Sequence, residues 1–313
     1  MTKDNGTARK HDRVLEIYTR LLSGEIISKT DLAKEYGVSP RSIQRDIESV
    51  RNFYSDRAAR GDAAAEIRYS HLEKGFRITG VNKDTLTNAE LFTIAKIILE
   101  SRSLSKSEME SIINKLNKIC PPANDRKKLK DLVLNEIFHY VEPRHGKNLI
   151  NTIWEFGTAV YSHKKIQIKY KKSNGDITKA LIKPVGIMES EYYFYLIAYI
   201  GDNDKKYPGY PTIYRVDRIE SYKITEDVFH VPYKDRFEEG EFRKRIPFMY
   251  GGKLHKRSFV YKGSDINAVL DRLPTANILN EHDGIYTISV EVFGDGIDMW
   301  IRSQGDYIKV LEE

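Results

Sequence analysis

The apolar residues of one segment, Ile166–Tyr170, alternate strictly with polar ones. Strict alternation is the pattern of a β-strand with one buried face, and Asn174-Gly175 shortly after it is a strong signal for a hairpin turn. A second strand resumes before Pro184, and a Tyr-rich run, residues 192–199, continues the pattern. These residues therefore predict an antiparallel sheet whose consecutive strands are joined by short turns.

The length of 313 residues exceeds what one hydrophobic core usually serves, so we predict two or three domains. No apolar run approaches the ~20 residues that cross a bilayer. The first twelve residues are polar and lack the apolar core of a secretion signal, and a lone cysteine, Cys120, cannot form an intrachain disulfide. These features predict a cytoplasmic protein with no membrane partner. The formal net charge of +6 favours a polyanionic partner without requiring one.

Two short helices are predicted before residue 37. The first runs from Arg13 to Ser23 with the 3.6-residue period of a half-buried surface. Its predicted apolar side comprises Val14, Tyr18 and Leu21, with Leu15 and Leu22 beside it. We predict that Thr30 caps the second helix, whose apolar side comprises Leu32, Ala33 and Tyr36. Gly37 supplies the backbone freedom that a tight turn between helices requires.

A third helix is predicted to begin at Ser39-Pro40, because the serine hydroxyl can accept from an orphan amide and proline suits the first helical position. The apolar residues of this helix recur at intervals of four, three and four: Ile43, Ile47, Val50 and Tyr54. The opposite side carries Arg41, Ser42, Gln44 and Arg45. Arginine and glutamine can pair with base edges, and serine and arginine can hold phosphates, as a recognition helix requires. An unrelated helical hairpin with a solvated polar face is the alternative.

Residues 67–78 read as a short hairpin with Lys74 at its tip, in the position of a wing. The order of helix, turn, helix and wing resembles the DeoR-type winged helix-turn-helix of bacterial transcription regulators. The segment that carries this resemblance is Ser39-Pro40-Arg41-Ser42-Ile43-Gln44-Arg45-Asp46-Ile47. The resemblance implies a homodimer on a double-stranded DNA operator, over residues 1–82. The predicted DNA contacts are Thr30, Ser39, Arg41, Ser42, Gln44, Arg45, Lys74 and Arg77.

Residues 83–147 are predicted to be a helical connector. Thr87 with Glu90 forms a capping box, and Ser105 with Glu108 opens a second helix in the same way. A third helix follows Pro121-Pro122. Such helices normally form core packing or a dimer interface. Cys120 is predicted to be a buried helix end, because a lone thiol is a poor metal site.

Two later segments place aromatic and cationic residues together: Phe194-Tyr195-Leu196 and Tyr214-Arg215-Val216-Asp217-Arg218-Ile219. In an extended strand, Arg215 and Asp217 share one face, and Arg218 faces the other way. A guanidinium suits phosphate, and a tyrosine ring suits a base. The alternative is that the tyrosines are sheet core and that Arg218 forms a surface ion pair with Asp217 or Glu220.

These two segments, with Lys169-Tyr170 and Pro184-Val185-Gly186, resemble the WYL domain of bacterial regulators, and we assign residues 148–230 to it. Phenylalanine stands where the family name has tryptophan, and Thr212 stands where many members carry an arginine. The resemblance implies an Sm-like or SH3-like β-barrel and an effector such as single-stranded DNA or a nucleotide. The predicted effector residues are Tyr195, Arg215 and Arg218, with Lys169 and Tyr170 as weaker candidates.

Residues 231–313 read as strand, helix, strand, strand, helix, strand, with Asp283-Gly284 at a hairpin. This order resembles a ferredoxin-like fold and the C-terminal WCX extension of WYL proteins, for which we predict a role in dimerisation. Trp300 is predicted to be a core anchor. The whole chain is predicted to be an α+β multidomain protein: winged helix-turn-helix, helical connector, β-barrel and ferredoxin-like βαββαβ domain.

The sequence carries no motif for catalysis, metal or cofactor binding: no HExxH, no phosphate-cradling glycine loop and no clustered carboxylates. We therefore expect no enzyme, and instead a transcription regulator, more often a repressor, controlled by an effector. An activator acting through RNA polymerase and a nucleic-acid-binding scaffold without ligand control are the alternatives. Neighbouring DNA-repair or phage-defence genes would favour a DNA-damage response, and metabolic genes a small metabolite.

Overall fold

The computed structural model describes residues 10–22, 24–60, 65–80, 86–120, 123–201, 210–230 and 237–311. Two compact units are present. The first consists of Met1–Glu100 with Met109–Tyr140, and the second of Ser101–Glu108 with Val141–Glu313. The predicted domain boundaries after residues 82 and 230 fall at ranges 81–85 and 231–236, which lie outside the described residues.

The first unit begins with three helices and a hairpin: α1 Lys10–Leu22, α2 Lys29–Glu35, α3 Pro40–Ala59, β1 Glu66–Ser70 and β2 Gly75–Thr79. Strands β1 and β2 are antiparallel. Ile27 forms an antiparallel bridge to β2, because its backbone exchanges two hydrogen bonds of 2.8 Å with Phe76. The shared core of these elements includes Ile17, Leu21, Ile27, Ile43 and Ile47, each at most 2% exposed.

Two helix starts test the predicted caps. Ser39 is the cap of α3, since its hydroxyl accepts from the Ser42 amide at 3.2 Å, as predicted. Thr30 as the cap of α2 is wrong: Ser28 is the cap, and Thr30 lies in the first turn with its hydroxyl 2.9 Å from that of Ser28. The pairing of Ile27 with Phe76 holds the chain extended up to Ser28, which places the helix start there.

The predicted apolar side of α1 is displaced around the helix. Leu15 is 63% exposed, whereas Arg13 is 7% exposed and Ile17 is fully buried. The Arg13 Nε donates to Asp46 Oδ2 of α3 at 2.5 Å, and Asp46 is 1% exposed. The predicted and the observed buried sides of α1 both fit the helical period. The period alone could not distinguish them, because the partner of Arg13 is an acid 33 residues further along the chain. The buried side of α1 therefore includes a charge that the pattern assigned to solvent.

The rest of the first unit is helical: α4 Asn88–Ser101, α5 Lys106–Ile119 and α6 Ala123–Phe138. The capping box before α4 is present, because the Thr87 amide donates to the Glu90 carboxylate at 2.7 Å and the Glu90 amide donates to the Thr87 hydroxyl at 3.2 Å. Cys120 is fully buried at the end of α5, as predicted, with its thiol 3.2 Å from Asn88 Oδ1. Burial raises the pKa of the Cys120 thiol.

The second unit contains α7 Ile150–Tyr161 and five strands: β3 Lys164–Lys171, β4 Ile177–Ser190, β5 Tyr193–Ile200, β6 Thr212–Arg215 and β7 Ile219–Val228. The helix begins at Ile150, four residues after the predicted Gly146, and residues 139–149 form a loop. The strands are antiparallel in the order β6-β5-β4-β3-β7.

A 3₁₀ turn, Val216–Arg218, joins the two edge strands of this sheet. Four flat strand spacings would separate the edges by about 19 Å. The turn spans at most about 14 Å. The sheet must therefore curl, and it does so around a core that includes Phe156 of α7 and Leu196 of β5.

The chain ends with α8 Glu239–Lys244, β8 Leu254–Tyr261, α9 Ile266–Arg272, β9 Asn277–His282, β10 Ile285–Phe293, α10 Gly296–Ser303 and β11 Ile308–Val310. The antiparallel sheet has the order β11-β8-β10-β9. Trp300 is a core residue, as predicted: it is 6% exposed, with its ring 5.9 Å from that of Phe259. Gly296 is required at the first position of α10, since a Cβ there would meet the Pro247 carbonyl oxygen at 2.0 Å.

We expect Arg13→Met to destabilise the first unit by about 3–5 kcal/mol, because the Asp46 carboxylate is then buried without its counter-charge. Urea unfolding of the whole chain measures this loss. Arg68→Met is the control, since the Arg68–Glu66 pair is exposed and its loss should leave the unfolding midpoint close to that of the wild type. Adding Asp46→Leu to Arg13→Met should restore part of the stability. Equal midpoints for Arg13→Met and Arg68→Met would contradict the structural role.

Candidate functional site

The side of α3 opposite its buried face carries the predicted recognition residues. Arg41 and Arg45 are exposed, and neither has an ion-pair partner among the described residues. Ser42 takes part in the helix cap with Ser39. Gln44 donates to the Glu48 carboxylate, one turn further along, at 3.0 Å. Two guanidinium groups are thus open to an anionic partner, and the serines and glutamine are engaged within the helix.

The hairpin places the other predicted contacts. Lys74 lies at its tip with a left-handed backbone (φ 53°), and Arg77 on β2 lies 3.6 Å from the Glu73 carboxylate. Thr30 is exposed on α2. The Arg51 guanidinium of α3 donates to the carbonyl of Ile67 on β1 at 3.0 and 3.3 Å. This contact holds the hairpin against α3.

The predicted effector residues of the second unit meet where β5, β6 and the 3₁₀ turn come together. Tyr195 of β5 pairs directly with Arg215 of β6. Asp217 accepts from the Arg215 guanidinium twice, at 3.0 and 2.8 Å. One face of the same guanidinium lies 3.3 Å from the centre of the Tyr193 ring. The Arg215 amide donates to the Tyr170 hydroxyl at 3.3 Å. Arg215 is thus held on several sides by its own domain.

The ion pairs differ from the alternative in which Arg218 pairs with Asp217 or Glu220. Residues 216–218 form the 3₁₀ turn and not a strand, so alternation does not describe them. Asp217 pairs with Arg215, and Glu220 pairs with Lys169 at 2.9 Å. Arg218 is half-buried and has neither a hydrogen bond nor an ion pair within the part of the chain that the structure describes. Its guanidinium is therefore available to an external anion.

Tyr195 lies close to both arginines. Burial raises the pKa of its hydroxyl to about 12, against the opposing effect of the positive charges of Arg215 and Arg218. The phenol is therefore protonated at neutral pH and can donate a hydrogen bond. Tyr195 packs on the side of β5 that also carries Ile197, whereas Leu196 faces the domain core, as the alternation predicted.

Of the two weaker effector candidates, Tyr170 lies with Arg215 and Tyr195, whereas Lys169 lies apart from them. Adjacent residues of a strand point to opposite faces. The Tyr170 ring packs at 5.0 Å from Tyr214. Lys169 instead lines a shallow cavity of about 720 Å³ on the other face of β3, with Lys179 and Lys223. Thr212 lies on β6 opposite Ala198.

Three residues of this site were not predicted as effector residues: Tyr193, His145 and Lys147. The Lys147 ammonium donates to the carbonyl oxygens of Asp217 and Ile219, at 2.6 and 3.2 Å, and so anchors the 3₁₀ turn. The His145 ring lies 6.5 Å from that of Tyr193. Its Nδ1 accepts from the Lys147 amide at 3.0 Å. No local sequence signal connects this loop with residues about 70 positions later.

The His145 ring is enclosed but incompletely bonded. Its Nε2 is buried and has no hydrogen-bond partner among the described residues. Burial lowers the pKa of His145, and the charges of Arg215 and Lys147 lower it further, against the opposing charges of Asp217 and Glu108. The imidazole is therefore neutral at pH 7.

Other kinds of site are not evident in the described ranges. No group of three or more His, Cys, Asp or Glu side chains there could hold a metal ion. None of the helices in those ranges is long and apolar enough to cross a bilayer.

The chain has similarity to several solved structures, two of which are described here. One is proteasome accessory factor B/C (PafBC) of Arthrobacter aurescens, with 12% identity and a TM-score of 0.32 over all of this chain and 48% of that protein. The other is a CRISPR Cas-related protein, with 12% identity and a TM-score of 0.35 over 74% of this chain and 70% of that one. The chain thus spans about half the length of PafBC.

The search of curated proteins found no match. A protein-family model, that of the WYL domain, matches residues 153–224, which run from within α7 through β3, β4, β5 and β6 to Ile224 in β7. The matched range contains Tyr170, Tyr193, Tyr195, Arg215 and Arg218. The chain therefore contains a WYL domain, which lies in its second unit.

Proposed function

We propose that this protein is a DNA-binding transcription regulator whose N-terminal residues 10–79 are a winged helix-turn-helix with α3 as the recognition helix. The observation that carries the proposal is the exposure of Arg41 and Arg45 on the first half of α3, opposite the fully buried Ile43 and Ile47. A helix held rigidly by one face can present the other to the major groove, which admits an α-helix.

The remaining contacts divide by chemistry. Arginine pairs with the O6 and N7 of guanine, and this role belongs to Arg41 and Arg45. Thr30, Ser39, Ser42, Lys74 and Arg77 are phosphate contacts, which set the register without reading sequence. Gln44 reads a base only after releasing Glu48. The exposed lysine at the hairpin tip supports a wing that follows the DNA backbone.

We further propose that the WYL domain binds a nucleic-acid-derived effector, such as single-stranded DNA or a nucleotide. The unpaired guanidinium of Arg218 supplies a phosphate contact, and the Tyr195 hydroxyl supplies a neutral donor. Arg215 is committed to Asp217, so it shapes the site more than it attracts the ligand. The Tyr170 hydroxyl supports the position of Arg215 by accepting a hydrogen bond from its backbone amide. Lys169 has a separate, weaker role on the outer face of the sheet.

Control of transcription completes the proposal. A homodimer, with the C-terminal ferredoxin-like unit as its dimerisation region, would double the number of bases read. Repression is the simpler outcome for a dimer that occupies an operator. Activation through RNA polymerase requires an additional contact, for which no specific observation is at hand.

We expect Arg41→Ala and Arg45→Ala each to weaken binding to a duplex by about 1–3 kcal/mol, because each change removes a base-edge contact. The duplex is one selected by the wild-type protein from random sequences, and gel-shift titration gives the affinities. Arg60→Ala is the control, since Arg60 lies about 22 Å from Arg45 along the axis of α3. Wild-type affinity in both recognition variants would refute the DNA-binding proposal.

We expect Arg218→Ala to weaken binding of a 5′-phosphorylated five-nucleotide DNA strand by at least about tenfold, the size of one hydrogen bond to a charged group. Tyr195→Phe removes only a hydroxyl and should have a smaller effect. Isothermal titration calorimetry on the full chain measures both. Lys179→Ala, an exposed lysine on the outer face of the sheet, is the matched control. Superimposable isotherms for Arg218→Ala and Lys179→Ala would count against this pocket.

We expect the same strand, at saturation, to change the affinity of the protein for its selected duplex by about 5–150-fold, the usual range of coupling between two sites. Fluorescence anisotropy of the labelled duplex, titrated with and without the strand, measures the coupling. Because linkage is reciprocal, the duplex must change the affinity for the strand by the same factor. A duplex affinity that stays constant in the wild type would separate DNA binding from effector control.

A further inference from the structure

The tautomer of His145 follows from its surroundings. The Lys147 backbone amide donates to the Nδ1 of His145 at 3.0 Å. An amide N–H is always a donor, so Nδ1 carries the lone pair and the proton of the neutral ring is on Nε2. The buried Nε2–H therefore points toward a position where no described residue provides an acceptor. Buried donors are nearly always paired in folded proteins, so this one calls for a partner.

The position of this donor is next to the proposed effector site. The same loop reaches the 3₁₀ turn through Lys147, whose ammonium donates to the carbonyl of Asp217 at 2.6 Å. The His145 ring lies beside Tyr193, whose face is covered by the guanidinium of Arg215. The Asp217 carboxylate accepts from Arg215 twice, so its main partner is already in place.

We propose that His145 is a ligand-binding residue of the WYL domain and donates its Nε2–H to an oxygen of the bound effector, which reaches this solvent-inaccessible atom by displacing the side chains that cover it. The inference rests on the proposed function, because it assumes that an effector occupies the site beside Tyr195 and Arg218. It also narrows the ligand class. The Arg218 guanidinium, the Tyr195 hydroxyl and the His145 Nε2–H are three donors, so the ligand presents several acceptor oxygens. A phosphate group, alone or on a nucleotide, meets that requirement.

Two substitutions separate this role from a structural one. In His145→Asn, the side-chain oxygen can take the place of Nδ1 and accept from the Lys147 amide, but no donor remains at the position of Nε2. In His145→Gln, the longer side chain can bring an N–H to that position. Calorimetry of the full chain with the 5′-phosphorylated five-nucleotide strand measures ligand affinity, and thermal unfolding measures stability.

We expect His145→Asn to weaken the affinity at least about tenfold and His145→Gln to retain most of it, as loss and rescue of one charge-assisted hydrogen bond require. An unchanged affinity in His145→Asn, with a clear loss in Arg218→Ala, would overturn this inference and leave the proposed function intact. Equal losses in both His145 variants, with equally lowered melting temperatures, would assign the ring a structural role and overturn it too. Failure of the wild type to bind the strand would remove the proposed function itself.

Discussion

The bidentate ion pair between Arg215 and Asp217 determines how the WYL domain presents its charges. Asp217 has a side chain only 6% exposed, and such a carboxylate requires a partner. The 3₁₀ turn brings it back against Arg215, whose guanidinium then stacks on Tyr193. Because that acid is already satisfied, Arg218 at the end of the turn has no ion-pair partner among the described residues. One internal pair thus sets which arginine is held within the domain and which is available to the proposed ligand.

The first unit uses the same device. Arg13 and Asp46 form a buried pair that links α1 to α3, while Arg41 and Arg45 on the opposite side of α3 stay open. Desolvation cancels much of the attraction in such a pair, so its main effect is on geometry: a misplaced helix would leave a charge buried alone. In both units, an internal ion pair positions an element, and arginines close in sequence to its acid are exposed or half-buried without an ion-pair partner among the described residues.

The proposed regulator therefore separates structural cations from recognising ones, and this separation bears on the ligand chemistry. The donors that the proposal assigns to the ligand belong to Arg218, Tyr195 and His145, and the pKa shifts keep the phenol protonated and the imidazole neutral at pH 7. Under that proposal, selectivity for a ligand rich in acceptor oxygens follows from these three donors. On the outer face, Lys179 and Lys223 are exposed and add a general positive potential, whereas Lys169 pairs with Glu220.

The sequence by itself determined the elements and the family. Strict alternation and a hairpin signal located β3 and β4, Ser39-Pro40 located the start of α3, and the apolar spacing identified its buried side, because these signals act between residues a few positions apart. The aromatic and arginine segments were sufficient to indicate the WYL domain. Only the tertiary structure decided which charges are paired. Two features decided in this way join residues that are distant in sequence: the Arg13–Asp46 pair and the approach of the His145 loop to the 3₁₀ turn. A third, the Ser28 cap, depends on the pairing of Ile27 with the distant Phe76. Periodicity records which face of an element is buried, but the partner of a buried charge depends on how separate elements pack.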